Sequence, residues 1–178
     1  MNTKNTTTFA YLLLVCIHIL STSCTNSTTG QDNILLQEWT GPYGGVPAFD
    51  KMEVADIQSA VEYGMEENLK EIEAIANNEA APTFENTIEA MERSGAYLDR
   101  VFSYYGILSS NMSSPEFREV QAVLAPKLSE FSSKINQNEA LFKRIKTVYD
   151  NAQENPLDSD QQRVVELVYK GFAMRGAA

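Results

Sequence analysis

Histidine and cysteine, the side chains that most often hold zinc or serve nucleophilic catalysis, are scarce in this sequence of 178 residues. There is one histidine, His18, and there are two cysteines, Cys16 and Cys24. A zinc peptidase needs two histidines one helical turn apart, a further ligand and a carboxylate that activates water. No His-Glu-x-x-His pattern occurs, so we assign no catalytic, cofactor-binding or metal-binding residue to this chain.

Acidic side chains are the remaining candidates, since the sequence has 24 Asp and Glu residues. The densest group is Glu66, Glu67, Glu71 and Glu73, whose oxygens are of the type that a hard cation binds. No turn brings further oxygens towards them, so the pattern favours a solvated helix face. No particular pair of acids is favoured for carboxylate catalysis, and an unrelated carboxylate enzyme stays open as a hypothesis.

The formal net charge is −10, from 14 Lys and Arg against 24 Asp and Glu. Nucleic-acid binding depends on basic patches that neutralise phosphates, so we expect no nucleic-acid partner. The one basic cluster, Lys-Arg-Ile-Lys at 143–146, lies beside Glu139 and Asp150 and predicts a solvated helix face.

The first 24 residues have the features of a bacterial lipoprotein signal peptide. Lys4 precedes an apolar run at 9–20, which is shorter than the roughly 20 residues of a membrane-spanning helix. Small residues follow and end at Cys24, which we expect to be lipid-modified and to begin the mature protein. Ser21 stands where leucine is usual, so ordinary cleaved secretion and a retained anchor stay open.

Residues 25–33 are polar and low in complexity, which predicts a flexible tether between a lipid and a folded region. No cysteine follows Cys24, so no disulfide or thiolate metal site can form downstream. The expected location is the cell envelope, with the protein exported and anchored to a membrane.

Residues 34–178 predict an all-α fold, an antiparallel helical bundle of up to five helices joined by short loops. Apolar residues recur at gaps of three and four, the period of an amphipathic helix. The first stripe is Val54, Ile57, Val61, Met65, Leu69, Ile72 and Ala76. The second is Phe84, Ile88, Met91, Gly95, Leu98, Phe102 and Tyr105. The other three begin at Phe117, Leu141 and Val164.

Two residues inside these stripes carry information about packing. The seven-residue repeat of the second stripe predicts close antiparallel pairing with a neighbour, and Gly95 marks the place where another helix backbone comes near. Pro126 predicts either a kink or the junction of two helices. Ser114 and Pro115 favour a helix start, and Asp158 and Gln161 are expected to cap the last helix.

Aromatic side chains have two interpretations. In one interpretation, Tyr97, Tyr104 and Tyr105 line a peptide-binding channel. The favoured interpretation is packing in the core, with the hydroxyls at its edge. Trp39 is expected to anchor the N-terminal segment. Residues 41–47, rich in Gly and Pro, predict a coil that packs over the first helices.

Several long motifs resemble the thimet-oligopeptidase-like zinc metallopeptidases, and in particular their peptidyl-dipeptidases. They are WTGPYGGVPAFD at 39–50, MEENLKEIEAIANN at 65–78, PTFENTIEAMERSG at 82–95, SNMS at 110–113, APKL at 125–128 and NQNEALFKRI at 136–145. Members of this family are largely helical, bind zinc through a His-Glu-x-x-His helix and a downstream glutamate, and cleave short peptides inside a deep channel.

The resemblance implies that 34–178 is the N-terminal helical region of such an enzyme, without the catalytic zinc region. Its role would then be a channel wall that admits small, unfolded peptides, and the isolated chain would neither bind zinc nor cleave peptides. The alternative is a free-standing, lipid-anchored helical module that binds peptides or a partner protein.

Overall fold

The computed structural model describes residues 32–42, 45–155 and 157–177, and this part of the chain is all-α, as predicted. Its only pairing of strand type is one isolated bridge between Thr40 and Val46. Within the described part, no helix is long and apolar enough to cross a membrane.

Five helices of more than ten residues and one shorter helix form the fold. They are α1, Ala55–Ala76; α2, a π-helical segment Phe84–Glu89 continued by Ala90–Glu92; α3, Ala96–Ser110; α4, Pro115–Asn136; α5, Glu139–Glu154; and α6, Ser159–Phe172. A 3₁₀ turn, Ile34–Leu36, precedes α1, and a wide turn, Ala173–Ala177, follows α6.

Helix α1 is central because its apolar stripe belongs to two hydrophobic clusters. Its first half, with Ile57 and Val61, packs with the 3₁₀ turn, α3 and α4. Its second half, with Ile72 and Ala76, packs with α2, α5 and α6. The stripe predicted for the first helix is therefore confirmed, and it holds the two halves of the fold together.

The second apolar stripe predicts one helix from Phe84 to Tyr105. This prediction is wrong, because α2 and α3 are two separate helices. Gly95 lies between them with φ of 86°, a left-handed conformation that glycine adopts without the strain other residues incur. Its N–H donates to the Glu71 carboxylate at 2.6 Å, so the break is fixed by a contact with α1.

The close backbone approach expected at Gly95 occurs instead at Gly64. A Cβ at Gly64 would lie 3.0 Å from the Leu98 Cα. Asn68, one turn further along α1, donates to the Ser94 hydroxyl just before α3. As the contacts move forward along α1, from Gly64 to Asn68, they move backward along the chain, from Leu98 to Ser94. The predicted antiparallel pairing is therefore confirmed for α1 and α3.

Helix α4 begins as predicted, with the Ser114 hydroxyl accepting from the Phe117 N–H at 3.0 Å and Pro115 at the first position. It continues through Pro126 as one helix, so the alternative of two helices is wrong. Half-buried side chains after the proline, Leu128 and Phe131, still pack against the first cluster and hold the second half in place.

The last two helices contain the stripes that begin at Leu141 and Val164. In α5 the inward face runs from Leu141 to Ala152. The Asp158 carboxylate caps α6, accepting from the N–H groups of Asp160 and Gln161 at 3.0 and 2.9 Å. Asp158 is therefore the N-cap of α6, and Gln161 contributes its backbone N–H to the cap.

The segment before α1 is fastened to the bundle. Asn33, the last residue of the predicted tether, is buried and donates to the Asp56 carbonyl at 2.7 Å. The folded part of the chain therefore includes Asn33, while residues 25–31 lie outside the described residues. Beyond the 3₁₀ turn, the Ala48 N–H donates to the Tyr104 hydroxyl at 2.8 Å, so the irregular segment packs over α3 as expected.

Candidate functional site

An open groove lies between α1 and α4. It consists of two adjoining cavities of about 620 and 310 Å³ that share Glu66, Leu69 and Lys134 as lining residues. Its floor is apolar and is formed by Met65, Leu69, Ile72 and Phe131. The residues that line the groove advance together along both helices, from Glu62 and Lys127 to Glu73 and Lys134, so α1 and α4 run in the same direction.

The rim of this groove is charged, and its charges are paired. Glu62 on α1 bonds Lys127 on α4, and this hydrogen bond holds the pKa of the Glu62 carboxyl below its ordinary value. On α4, Lys134 bonds Glu130 at 2.8 Å and lowers the pKa of that carboxyl. Each of these charges is paired, either between α1 and α4 or along α4. The pairs therefore favour the binding of neither a lone cation nor a lone anion.

The acidic stretch of α1 has ordinary surface contacts. Lys70 lies 2.7 Å from Glu67 and 2.9 Å from Glu66, and both hydrogen bonds raise the pKa of the Lys70 amine. Glu71 faces the start of α3, and Glu73 accepts from a side chain on its own helix at 2.6 Å. These separate partners favour the solvated helix face over the cation site.

A zinc site does not fit the described part of this chain. It contains neither histidine nor cysteine, and no three acidic residues within it converge to hold a metal ion. His18, Cys16 and Cys24 all lie outside the described residues, so the predicted lipidation at Cys24 stays a prediction.

The most important residue that the sequence analysis missed is Arg144. It belongs to the basic cluster 143–146, which was predicted to be a solvated face, yet its side chain is only 6% exposed. That prediction is wrong for Arg144, while Lys143 and Lys146 are exposed. The available signal was helical phase, since Arg144 lies between the apolar residues Leu141 and Val148 on the stripe of α5.

The Arg144 guanidinium joins α5 to the connection between α1 and α2. One nitrogen donates to the carbonyls of Asn78 and Ala80 at 2.6 and 3.0 Å. The other donates to Asn86 Oδ1 at 2.8 Å and to the Thr87 hydroxyl at 3.3 Å. The two terminal nitrogens of the guanidinium thus make four hydrogen bonds to neutral oxygens, while the buried Nε–H has no partner among the described residues. These bonds link α5 to α2 and to the segment that precedes α2.

The aromatic residues of α3 are core residues. Tyr104 is 1% exposed, and its ring lies 5.0 Å from Phe49 and 6.5 Å from Trp39. Tyr105 packs edge-on against Phe117 at 5.1 Å. Tyr97, half-buried, packs against another tyrosine of the first cluster at 5.5 Å. Core packing, the favoured interpretation, accounts for all three.

Trp39 anchors the N-terminal segment, as expected. It is half-buried and packs edge-on against Tyr104 in α3. Its indole N–H is buried and has no hydrogen-bond partner among the described residues. The contact that holds Trp39 is therefore apolar.

The described part of the chain is an all-α domain built around a central helix, α1. The family model "Neurolysin/Thimet oligopeptidase, N-terminal domain" matches residues 58–178. This match covers more than half of the chain and shows that the chain belongs to the thimet oligopeptidase family. The resemblance seen in the sequence motifs is confirmed.

Individual relatives agree with this assignment. The chain is 33% identical over 145 residues to a dipeptidyl carboxypeptidase of Salmonella typhimurium and, over the same length, to one of Escherichia coli. It is 28% identical over 131 residues to oligopeptidase A of Escherichia coli. These matches cover 82%, 82% and 74% of this chain but 21%, 21% and 19% of the relatives. The chain thus spans about a fifth of the length of the curated relatives it matches.

Proposed function

We propose that this chain is the N-terminal, channel-wall portion of an exported zinc metallopeptidase that releases dipeptides from the C-termini of short peptides. The observation that carries this proposal is the 33% identity over 145 residues to two proteins named dipeptidyl carboxypeptidase. The same relation supports short peptides as the substrates of the complete enzyme.

We further propose that the chain is not catalytic by itself. His18 is its one histidine and there is no His-Glu-x-x-His pattern, so the sequence offers no pair of imidazoles for zinc. In this proposal the zinc belongs to the part of the enzyme that the match with this chain does not cover. The helices described above then form a wall that limits access to small, unfolded substrates.

The proposed location is the cell envelope, with a lipid on Cys24 as the membrane anchor. The supporting pattern is Lys4, the apolar run at 9–20 and the small residues that end at Cys24. A net charge of −10 supports the absence of a nucleic-acid partner.

The first test is to sequence the DNA that follows codon 178 in the source. A continuing frame that encodes a His-Glu-x-x-His helix is the expected result, and it would place the catalytic residues in the same polypeptide. An immediate stop codon would overturn the assignment of this product to a longer enzyme.

The second test addresses catalysis directly. The purified chain, from residue 25 onwards, is incubated with excess Zn²⁺ and a blocked peptide that releases a C-terminal dipeptide. We expect no cleavage, with the dipeptidyl carboxypeptidase of Escherichia coli as the positive control. Zinc-dependent cleavage by the chain alone would contradict its proposed non-catalytic role.

The second candidate is a free-standing, lipid-anchored helical module that binds peptides or a partner protein. The groove between α1 and α4, with Leu69 on its apolar floor, is the observation that favours it. A stop codon after residue 178, together with a stable folded monomer, would support this candidate over the first. A continuing frame with the zinc motif would reject it.

A further inference from the structure

We draw no further inference here: the strongest candidate, the groove between α1 and α4 with Leu69 on its floor, is an open apolar surface, and nothing in the described part of the chain shows what covers it.

Discussion

Arg144 in α5 donates a hydrogen bond of 2.8 Å to Asn86 Oδ1 in α2. The same oxygen accepts from the Thr83 N–H at 2.9 Å, the bond that closes the capping box at the start of α2, and from the Thr87 hydroxyl at 2.9 Å. One side-chain oxygen therefore joins the cap of α2 to a buried cation on α5. This hydrogen bond helps to hold the second hydrophobic cluster together, because residues of both α2 and α5 belong to that cluster.

Replacing Arg144 with lysine should destabilise the fold although the charge is kept. A lysine amine cannot reproduce the planar fork, so some of the carbonyl and side-chain oxygens lose their donors inside the protein. We expect a loss of about 2–4 kcal/mol in the free energy of unfolding, measured by urea denaturation followed by circular dichroism.

Lys143→Gln is the matched control for this substitution, because Lys143 is the exposed neighbour on the same helix. It should change the free energy of unfolding by less than about 0.5 kcal/mol. If Arg144→Lys were as mild as Lys143→Gln, the proposed role of the guanidinium fork would be wrong.

Gly64→Ala should also destabilise the chain. Alanine favours a helix over glycine by about 1 kcal/mol, but the new Cβ would lie 3.0 Å from the Leu98 Cα and 3.1 Å from its nitrogen. Backbone atoms cannot rotate away, so α1 and α3 must separate. We expect a net loss of about 1–3 kcal/mol in the free energy of unfolding by chemical denaturation.

The control is Gly106→Ala, since Gly106 is also helical, in α3, but a Cβ there has no heavy atom within 4 Å. This variant should be more stable than the wild type by about 0.5–1 kcal/mol. Equal stabilisation by Gly64→Ala would show that α1 and α3 are not in close contact at Leu98.

Glu71→Ala should weaken the start of α3. The Glu71 carboxylate accepts from the N–H of Gly95, the N-cap residue of α3, at 2.6 Å. Losing this hydrogen bond should cost about 1 kcal/mol, which denaturant unfolding can resolve. Glu66→Ala is the comparison, because the ion pair of Glu66 is with Lys70 on the same helix. Similar losses in the two variants would argue that charge alone, and not the contact with Gly95, matters.

The ion pair between Glu62 and Lys127 should couple α1 to α4 in a pH-dependent way. The Lys127 hydrogen bond lowers the pKa of Glu62 in the folded chain. A depressed carboxyl pKa stabilises the fold above the unfolded pKa, and this contribution is lost as pH falls through the lower, folded pKa. Both side chains are more than a third exposed, so the coupling at neutral pH should stay under about 1 kcal/mol.

A double-mutant cycle of Glu62→Gln and Lys127→Met measures this coupling. The coupling free energy should be present at about pH 7, absent at about pH 2, and smaller in high salt. A coupling that is unchanged between the two pH values would mean that the carboxylate charge does not contribute.

Cys24→Ser should abolish lipid attachment in the complete chain expressed in a bacterial host. We expect the wild type to incorporate an alkyne-labelled fatty acid and to fractionate with membranes, and Cys24→Ser to do neither. Cys16→Ser is the control, because Cys16 lies inside the apolar run and is not expected to be modified. Labelling of Cys24→Ser, or an unlabelled wild type, would overturn the lipoprotein proposal.

Local features of this fold could be predicted from the sequence because they depend on neighbouring residues alone. The helical period of α1, the start of α4 at Ser114 and Pro115, and the Asp158 cap of α6 each rest on contacts within about one turn. The family could be recognised too, since its motifs are long and continuous in the chain.

Only the tertiary structure decided which residues meet across helices. Gly64 and Gly95 look alike in the sequence, yet one meets the backbone of α3 and the other breaks the helix. Helical phase places Arg144 on the apolar face of α5, but only the packing of α5 against α2 supplies the oxygens that its buried guanidinium bonds. The groove of α1 and α4 likewise arises from the spacing between two packed helices. Periodicity fixes which face of a helix is apolar, whereas the neighbour that covers that face is set by packing over the whole chain.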